Sequence, residues 1–299
     1  MSIVITTPTG HIGSVVTSEL LARGEKPVLV ARDATRVSQW TRQGATVVEG
    51  SHADPDVMTA ATRGAEALFV LTPSSYQIDD IQAYYGSFAR AAAAAAKAND
   101  IPHVVHLSSV GAELAAGNGP VAGLHAAEAI LNAAGIANLT HLRPPYFMEN
   151  TLMQIGNILN TGSLSTSFPA GTRFPMIATR DIGVRAAELL HRRDWRGARV
   201  MELQGPGEIS YDDVAQILSD LLGRPISHVT VTREQLVAAI AGMGVSRVMA
   251  ESLGELSEAI ATGLVRAHER RTEANTTPTS YREFAGLVFK PAFAAAAKG

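Results

Sequence analysis

Met1 to Gly13 reads MSIVITTPTGHIG, and this stretch decides the fold. Ser2 to Ile5 is a short β-branched apolar run, Thr7, Gly10 and Gly13 follow at three-residue spacing, and from Ile12 the pattern turns helical, with Val15, Val16, Leu20 and Leu21 on one face. The spacing predicts strand, tight turn, helix. A turn of this kind aims backbone N–H groups and the positive end of a helix dipole at one spot, which suits the pyrophosphate of a dinucleotide. Thr7, Thr9, Gly10, His11, Ile12 and Gly13 are therefore candidate cofactor-binding residues. Glycine-rich turns also occur where nothing binds, so the rest of the chain has to add to the motif.

Outward from that turn, the same cycle repeats. Pro27 to Ala31 reads as a second strand whose unbroken apolar run fits a parallel sheet covered on both faces. Asp33 can cap a helix through Arg42, and Gly44 ends it. Strand Thr46 to Glu49, helix Pro55 to Arg63, strand Ala67 to Leu71, helix Ile78 to Ala98, strand His103 to Leu107, helix Val121 to Ala134 and strand Leu139 to Leu142 follow. Strands alternating with helices predict an α/β fold, a doubly wound parallel sheet of the Rossmann type. The tract Ala91 to Ala98 is read as helix, packing closely on the sheet or on a second subunit; a homodimer is compatible with it.

After Pro144 the rhythm loosens. Helix Thr151 to Leu159, a Gly/Ser/Thr/Pro stretch through Pro175 and helix Asp181 to His191 precede strand Arg199 to Leu203, which is expected to return to the main sheet. A helix from Ser210 to Leu222, a short strand His228 to Thr232 and helices Glu234 to Met243 and Ser246 to His268 complete the reading. The expected organisation is a dinucleotide-binding domain over 1–150 and a smaller, mainly helical substrate lobe over 151–299, with 199–203 belonging to the sheet.

Composition removes several function classes. The 299 residues carry a formal charge of −3, so no global basic field favours nucleic acid or an anionic membrane. Cysteine is absent, which removes disulfides, thiolate metal sites and cysteine nucleophiles together. No segment reaches the roughly 18 consecutive apolar residues of a membrane span, and Met1 leads straight into a strand, so a cytoplasmic protein is expected. The nine histidines show no His-Glu-x-x-His pattern, and no metal is expected.

The residue that ends the second strand of a dinucleotide fold selects the ribose: an acid bonds a 2′-hydroxyl, a cation accommodates a 2′-phosphate. Here the strand ends Val30-Ala31-Arg32-Asp33, with Arg36 one helical turn on. Two guanidiniums favour NADP(H) over NAD(H), because each can meet a phosphate bidentately. Asp33 would reverse the preference if it turned inward rather than capping its helix. Leu71-Thr72-Pro73 and Ser108-Ser109 end the next strands and would border the same track.

The Thr-Gly-x-x-Gly turn, the Ala31-Arg32 pair, the LTP and LSSVGA strand ends, the His125-Ala126-Ala127-Glu128 helix and LRPPYFMEN over Leu142 to Asn150 resemble the NmrA-like branch of atypical short-chain dehydrogenases. The resemblance implies a Rossmann fold, NADP(H), and either reduction of quinones and triphenylmethane dyes or regulation without turnover. One departure stands out: the family's Gly-Ala-Thr-Gly is Thr7-Pro8-Thr9-Gly10 here, and Thr7 restricts a backbone that glycine would leave permissive. Ketone-reducing relatives pair a tyrosine with a lysine four residues later. The only lysines are Lys26, Lys97, Lys290 and Lys298, so that pair is missing and electron-poor, conjugated acceptors become the favoured substrates.

Candidate catalytic residues are His125 and Tyr146. His125 either orients substrate and donates a proton or bonds a neighbouring loop. Tyr146 and Phe147 form an aromatic wall over the nicotinamide or pack the core, Asn150 fixes substrate or caps a helix, and Phe174 joins the pocket. The alternative to an enzyme is a regulatory protein that senses NADP(H).

Overall fold

The computed structural model describes residues 2–298; Met1 and Gly299, which open the first stretch and close the expected lobe, lie outside the described residues. β1 (Ser2–Thr6) leads into α1 (His11–Ala22), then β2 (Val28–Ala31), α2 (Ser38–Thr41), β3 (Thr46–Glu49), α3 (Pro55–Ala61), β4 (Ala65–Val70), α4 (Ile81–Ala98), β5 (His103–Leu107), α5 (Val121–Ala133) and β6 (Asn138–Arg143). The second half holds β7 (Tyr146–Phe147), α6 (Ile155–Thr161), β8 (Ser163–Thr166), β9 (Phe174–Ile177), α7 (Thr179–Arg192), β10 (Gly197–Glu202), β11 (Glu208–Ile209), α8 (Tyr211–Leu222), β12 (Ser227–Thr230), α9 (Arg233–Gly242), α10 (Arg247–Ala261), α11 (Tyr281–Phe284) and α12 (Lys290–Ala296).

Seven parallel strands form the main sheet in the order β10-β6-β5-β4-β1-β2-β3. The strand order reverses between β1 and β4, so the crevice of a doubly wound sheet opens where the Thr7 turn lies. Each central strand buries both faces because helices cover both. Ile3, Ile5, Phe69 and Val105 pack under α1 and α7, whereas Val4, Leu68, Val104 and Leu139 pack under α3, α4 and α5. The alanine tract is the reason α4 sits so close. Ala91, Ala92, Ala95 and Ala96 are buried in that second core, and a Cβ on Gly123 of α5 would lie 2.5 Å from the ring of Tyr85. On the opposite face, a Cβ on Gly183 of α7 would meet Val15 of α1 at 2.6 Å. Residues beyond 150 thus close the sheet twice, through α7 and through β10, which pairs with β6 from Gly197↔Asn138 to Glu202↔Arg143.

The remaining lobe has its own core, where Phe168, Phe174, Tyr211, Tyr281, Phe284 and Phe289 pack together. Two small sheets, β11-β9-β7 and β12-β8, frame it. The Gly/Ser/Thr/Pro stretch through Pro175, to which the sequence pattern assigns no element, holds β8 and the start of β9. These runs are four residues long, too short for alternation to declare itself, and they exist because β12 and β7 pair with them.

Other boundaries also move for local reasons. Between Asp33 and Arg42 the chain forms a 3₁₀ turn (Ala34–Val37) and then the short α2, because the Asp33 carboxylate takes both the Thr35 N–H at 2.9 Å and the Thr35 hydroxyl at 2.6 Å. The helix expected from Ser246 to His268 stops at Ala261: the Thr262 hydroxyl bonds back to the Glu258 carbonyl and Gly263 turns left-handed at φ +75°. The helix expected from Thr151 becomes a 3₁₀ stretch (Met148–Gln154) followed by α6.

One clasp joins sheet and lobe. Ser246 donates its N–H to the Tyr76 carbonyl and its hydroxyl to the Ile78 carbonyl, both at 2.7 Å, while Gln77 donates to the Gly244 carbonyl. The same Ser246 oxygen accepts the Met249 N–H and so caps α10.

Candidate functional site

The turn after β1 is built by a strained residue and a mandatory glycine. Thr7 has φ +50°, a left-handed conformation that costs a β-branched residue on the order of 1 kcal/mol or more. The reward is a carbonyl turned inward, where it accepts the Gly10 N–H at 3.1 Å. A Cβ on Gly13 would fall 2.1 Å from that same carbonyl oxygen, so only glycine lets α1 start this close to β1. Gly10, at φ −79°, caps α1 with no side-chain bond, and the first turn of α1 carries no acid. The leading N–H groups of α1 are thereby left to whatever sits in front of them. Thr9, Gly10 and His11 are exposed, Ile12 and Gly13 are buried, and Pro8 is tucked inside. The Thr7 hydroxyl is buried without a partner.

β2 delivers Arg32 to the same edge. Its side chain is exposed and enters no ion pair among the described residues. Asp33, the residue that could have neutralised it, is turned toward Thr35, whose two hydrogen bonds hold its carboxyl below the ordinary range. Arg36 is exposed on the following turn. Behind Arg32, His52 lies over Phe88 with ring centroids 4.6 Å apart, and burial pushes its imidazole down to about 4. Sequence reasoning passed over His52, since a lone histidine beyond a strand carries no pattern.

Thr6 fixes the next strand end. Its hydroxyl donates to the Phe69 carbonyl and accepts the Leu71 N–H, at 3.0 and 2.9 Å, setting where Leu71, Thr72 and Pro73 leave β4. The Pro73 carbonyl is held by the Tyr84 hydroxyl at 3.1 Å.

At the ends of β5 and β6 lies a buried network that sequence reasoning missed. Ser108, only 3% exposed, donates its hydroxyl to Glu128 Oε1 at 2.5 Å. Arg143 grips Glu128 with two bonds, Nε to Oε1 at 2.9 Å and Nη2 to Oε2 at 2.7 Å, and reaches Glu113 with Nη1 at 2.9 Å. Burial pushes the Glu128 carboxyl up, but the bonds from Arg143 and Ser108 outweigh it and hold the group ionised, below its ordinary range. Beneath it His106 and His141 face each other, Nδ1 to Nδ1 at 3.0 Å; burial keeps both below their usual range, His106 at about 3. Ser109 bonds the Val110 carbonyl instead. The available signal was an acid on the apolar face of α5, between Ala127 and Leu131.

The remaining candidates divide. His125 donates Nδ1–H to the Ala112 carbonyl at 2.9 Å, which leaves Nε2 as its outward nitrogen. Tyr146 turns into the lobe core, where its hydroxyl meets Tyr211 at 3.0 Å; burial raises its pKa despite bonds from Tyr211 and Asn150. Phe174, 5% exposed, packs 5.4 Å from the Tyr146 ring. Phe147 points the other way, against the core beneath α1 and α7. Thr7 to Gly13, Arg32, Leu71 to Pro73 and Ser108 thus share one sheet edge, while Tyr146, Asn150 and Phe174 group separately in the lobe. Among the described residues no cluster of three His, Asp or Glu side chains could hold a metal, and no helix is long and apolar enough to cross a membrane.

A parallel sheet with its crevice at a glycine turn and a cation after the second strand defines a Rossmann-type fold. The chain belongs to the NmrA-like family, whose sequence profile matches residues 1–285. It is 30% identical over 252 residues to the NAD(P)H azoreductase of Xenophilus azovorans, covering 83% of each chain. It is 28% identical over 225 residues to a (4-alkanoyl-5-oxo-2,5-dihydrofuran-3-yl)methyl phosphate reductase of Streptomyces griseus, covering 75% of each. Among solved structures, the NADPH-dependent quinone oxidoreductase of Escherichia coli, complexed with NADPH, superposes with a TM-score of 0.82 at 20% identity, over 97% of this chain and 100% of that one. The triphenylmethane reductase of Citrobacter sp., complexed with NADP(H), gives 0.79 at 21% identity, over 94% and 98%. Those two likenesses concern the fold.

Proposed function

We propose that this chain is an NADPH-dependent reductase that delivers hydride to a quinone or a similarly electron-poor conjugated molecule. The observation that carries the reading is Arg32, exposed at the end of β2 with no ion pair and with Asp33 diverted to Thr35. The edge fits a dinucleotide in three respects. Among the described residues the first turn of α1 has no side-chain cap and the Thr7 hydroxyl no partner, and glycine at 13 lets α1 start close against β1. Arg32 and Arg36 would take the 2′-phosphate, the turn from Thr7 to Gly13 the diphosphate, and Leu71 to Pro73 with Ser108 and Ser109 the track beyond. NAD(H) would leave Arg32 without its partner. The reduced dinucleotide supplies the hydride.

For the rest of the chemistry this chain offers little acid. Tyr146, buried and bonded to Tyr211, is held away from ionisation, and His125 spends its Nδ1–H on the Ala112 carbonyl. Acceptors that delocalise the incoming electron pair suit such a site. His125 would position the acceptor from the sheet side and Asn150 from the lobe, with Phe147, Phe174 and Tyr146 supporting the wall from behind. The likeness to the azoreductase supports the same class.

The poverty in proton donors supports a second reading, a regulatory protein that senses NADP(H) without turning it over. A panel of quinones and azo compounds with NADPH separates the two. Loss of absorbance at the reduced-nicotinamide band above background supports the enzyme; tight NADPH binding with no turnover on any acceptor supports the sensor.

A further inference from the structure

The amino end of the main sheet, the edge opposite the glycine turn, carries a cluster that neither hydride transfer nor cofactor binding uses. Its hub is Trp195, buried just after α7. The Arg199 guanidinium lies over the indole, 5.1 Å from the ring centroid, and His103 meets the same ring in a T-shaped contact at 5.0 Å. Arg196 turns Nη1 to within 3.4 Å of His103 Nε2. Two guanidiniums and an imidazole thus gather around one side chain.

The acids within reach are taken by other cations. Arg192 holds Asp194 at 2.7 Å, and Arg193 holds Glu25 at 3.2 Å and Glu66 at 3.7 Å. Among the described residues neither Arg196 nor Arg199 enters an ion pair. Their partners are neutral. Arg196 spends Nη1 on the Arg193 and Trp195 carbonyls, at 3.3 and 3.1 Å, and Arg199 donates Nε–H to the Thr140 hydroxyl at 3.0 Å across the β10 and β6 pair. Burial works against the Arg199 charge, but a guanidinium keeps its proton in a protein, so the charge stands without a counterion. Burial first, then the guanidiniums of Arg196 and Arg193, hold the His103 imidazole below its ordinary range against the backbone oxygens of Trp195 and Glu66. The dipole of α7 accounts for Arg192 in its last turn, whereas Arg196 and Arg199 lie beyond that helix. Each keeps unspent donors, the Nη1 and Nη2 end of Arg199 and the Nε and Nη2 side of Arg196, and such forks match the paired oxygens of a carboxylate or phosphate.

We propose that Arg196 and Arg199, set around Trp195, form a second ligand site that binds the phosphate or carboxylate group of a small anionic molecule. The site stands apart from the cofactor edge. Trp195 and Arg196 precede β10 and His103 opens β5, whereas Arg32 and the glycine turn follow the carboxyl ends of their strands. It is therefore independent of the dinucleotide reading. The oxyanion supplies the counter-charge that the chain itself withholds, and the indole keeps Arg199 in place to receive it.

The chain has two tryptophans, so two indole N–H resonances appear in a nitrogen-15 spectrum, and Trp40→Phe assigns them. Inorganic phosphate and succinate are each titrated at constant ionic strength. A saturable shift of the Trp195 resonance is expected: with phosphate alone the ligand carries a phosphate, with succinate alone a carboxylate, and with both the shared oxyanion geometry suffices. Arg199→Gln should raise the dissociation constant about tenfold or more, and Arg196→Gln about threefold to tenfold. Arg196 is exposed, so its variant decides alone if Arg199→Gln does not fold. No saturable shift with either anion overturns the inference. A shift that the variants leave unchanged overturns it too, because the anion is then bound elsewhere.

Discussion

The two ends of the candidate cofactor edge solve the same problem, placing charge at a strand terminus, by opposite constructions. After β2 the charge is an exposed arginine kept available because Asp33 is occupied two residues on. After β5 and β6 it is a carboxylate buried under a serine and locked by a bidentate guanidinium. The first costs the fold almost nothing and can be lost without unfolding. The second is part of the structure, since breaking one partner strands a buried charge. Function at the first end should therefore separate from stability, and at the second end it should not.

The largest effect is expected between those ends, at the turn that joins them. Gly13→Ala places a methyl 2.1 Å from the Thr7 carbonyl, so α1 must retreat; about 4 kcal/mol of stability and detectable NADPH binding should both be lost, read by denaturant titration and calorimetry. Glu128→Ala should cost about 3 kcal/mol, because Arg143 keeps only Glu113. A second measurement sharpens this. Glu128 is held below its ordinary value of 4.5, so its contribution is complete above that pH and is lost as pH falls through the lower, folded value. The stability difference between wild type and Glu128→Ala should accordingly shrink in acid, and a difference independent of pH between 6 and about 2 would contradict the ionised pair.

Arg32→Ala should weaken NADPH roughly tenfold to a hundredfold, change NADH little and leave the unfolding midpoint in place. An equal loss for both nucleotides would remove the phosphate role and, with it, half of the comparison. The smallest effect belongs to Thr7→Gly, which releases the left-handed strain and deletes an unpartnered hydroxyl. Net stability should rise by about 0.5 kcal/mol, the relief being partly offset by the extra freedom of glycine in the unfolded chain.

The sequence made one end of this edge readable and hid the other. Arg32 is legible as a candidate because the role proposed for it follows from its place after the second strand, a local fact. Gly13 is legible for the same reason, and the alternation of strands and helices carries the sheet with it. The Ser108–Glu128–Arg143 network comes from β5, α5 and β6 in turn, and its members meet only when the crossover places them side by side. Nothing in their spacing records that. In the lobe, β12 is legible as the short strand His228 to Thr232, whereas β8, four residues long, owes its form to pairing with β12 and reads locally as part of a polar connector. Tyr146 illustrates a different limit. Its place after β6 left a wall over the cleft and a core role both open, and the two-residue β7 sends alternate side chains to opposite sides, Tyr146 into the lobe core and Phe147 toward the sheet core.

The Ser246 clasp adds a mechanical consequence. One side chain both starts α10 and fastens the segment that leads away from the Leu71–Pro73 track. Removing that side chain would therefore unfasten the segment and uncap α10 together. α9, in which no side chain is buried, is held chiefly through α10, where Gly254 lets Val237 and Arg233 come close. The segment beyond the Leu71–Pro73 track and the first turn of α10 thus share a single serine as their fastening.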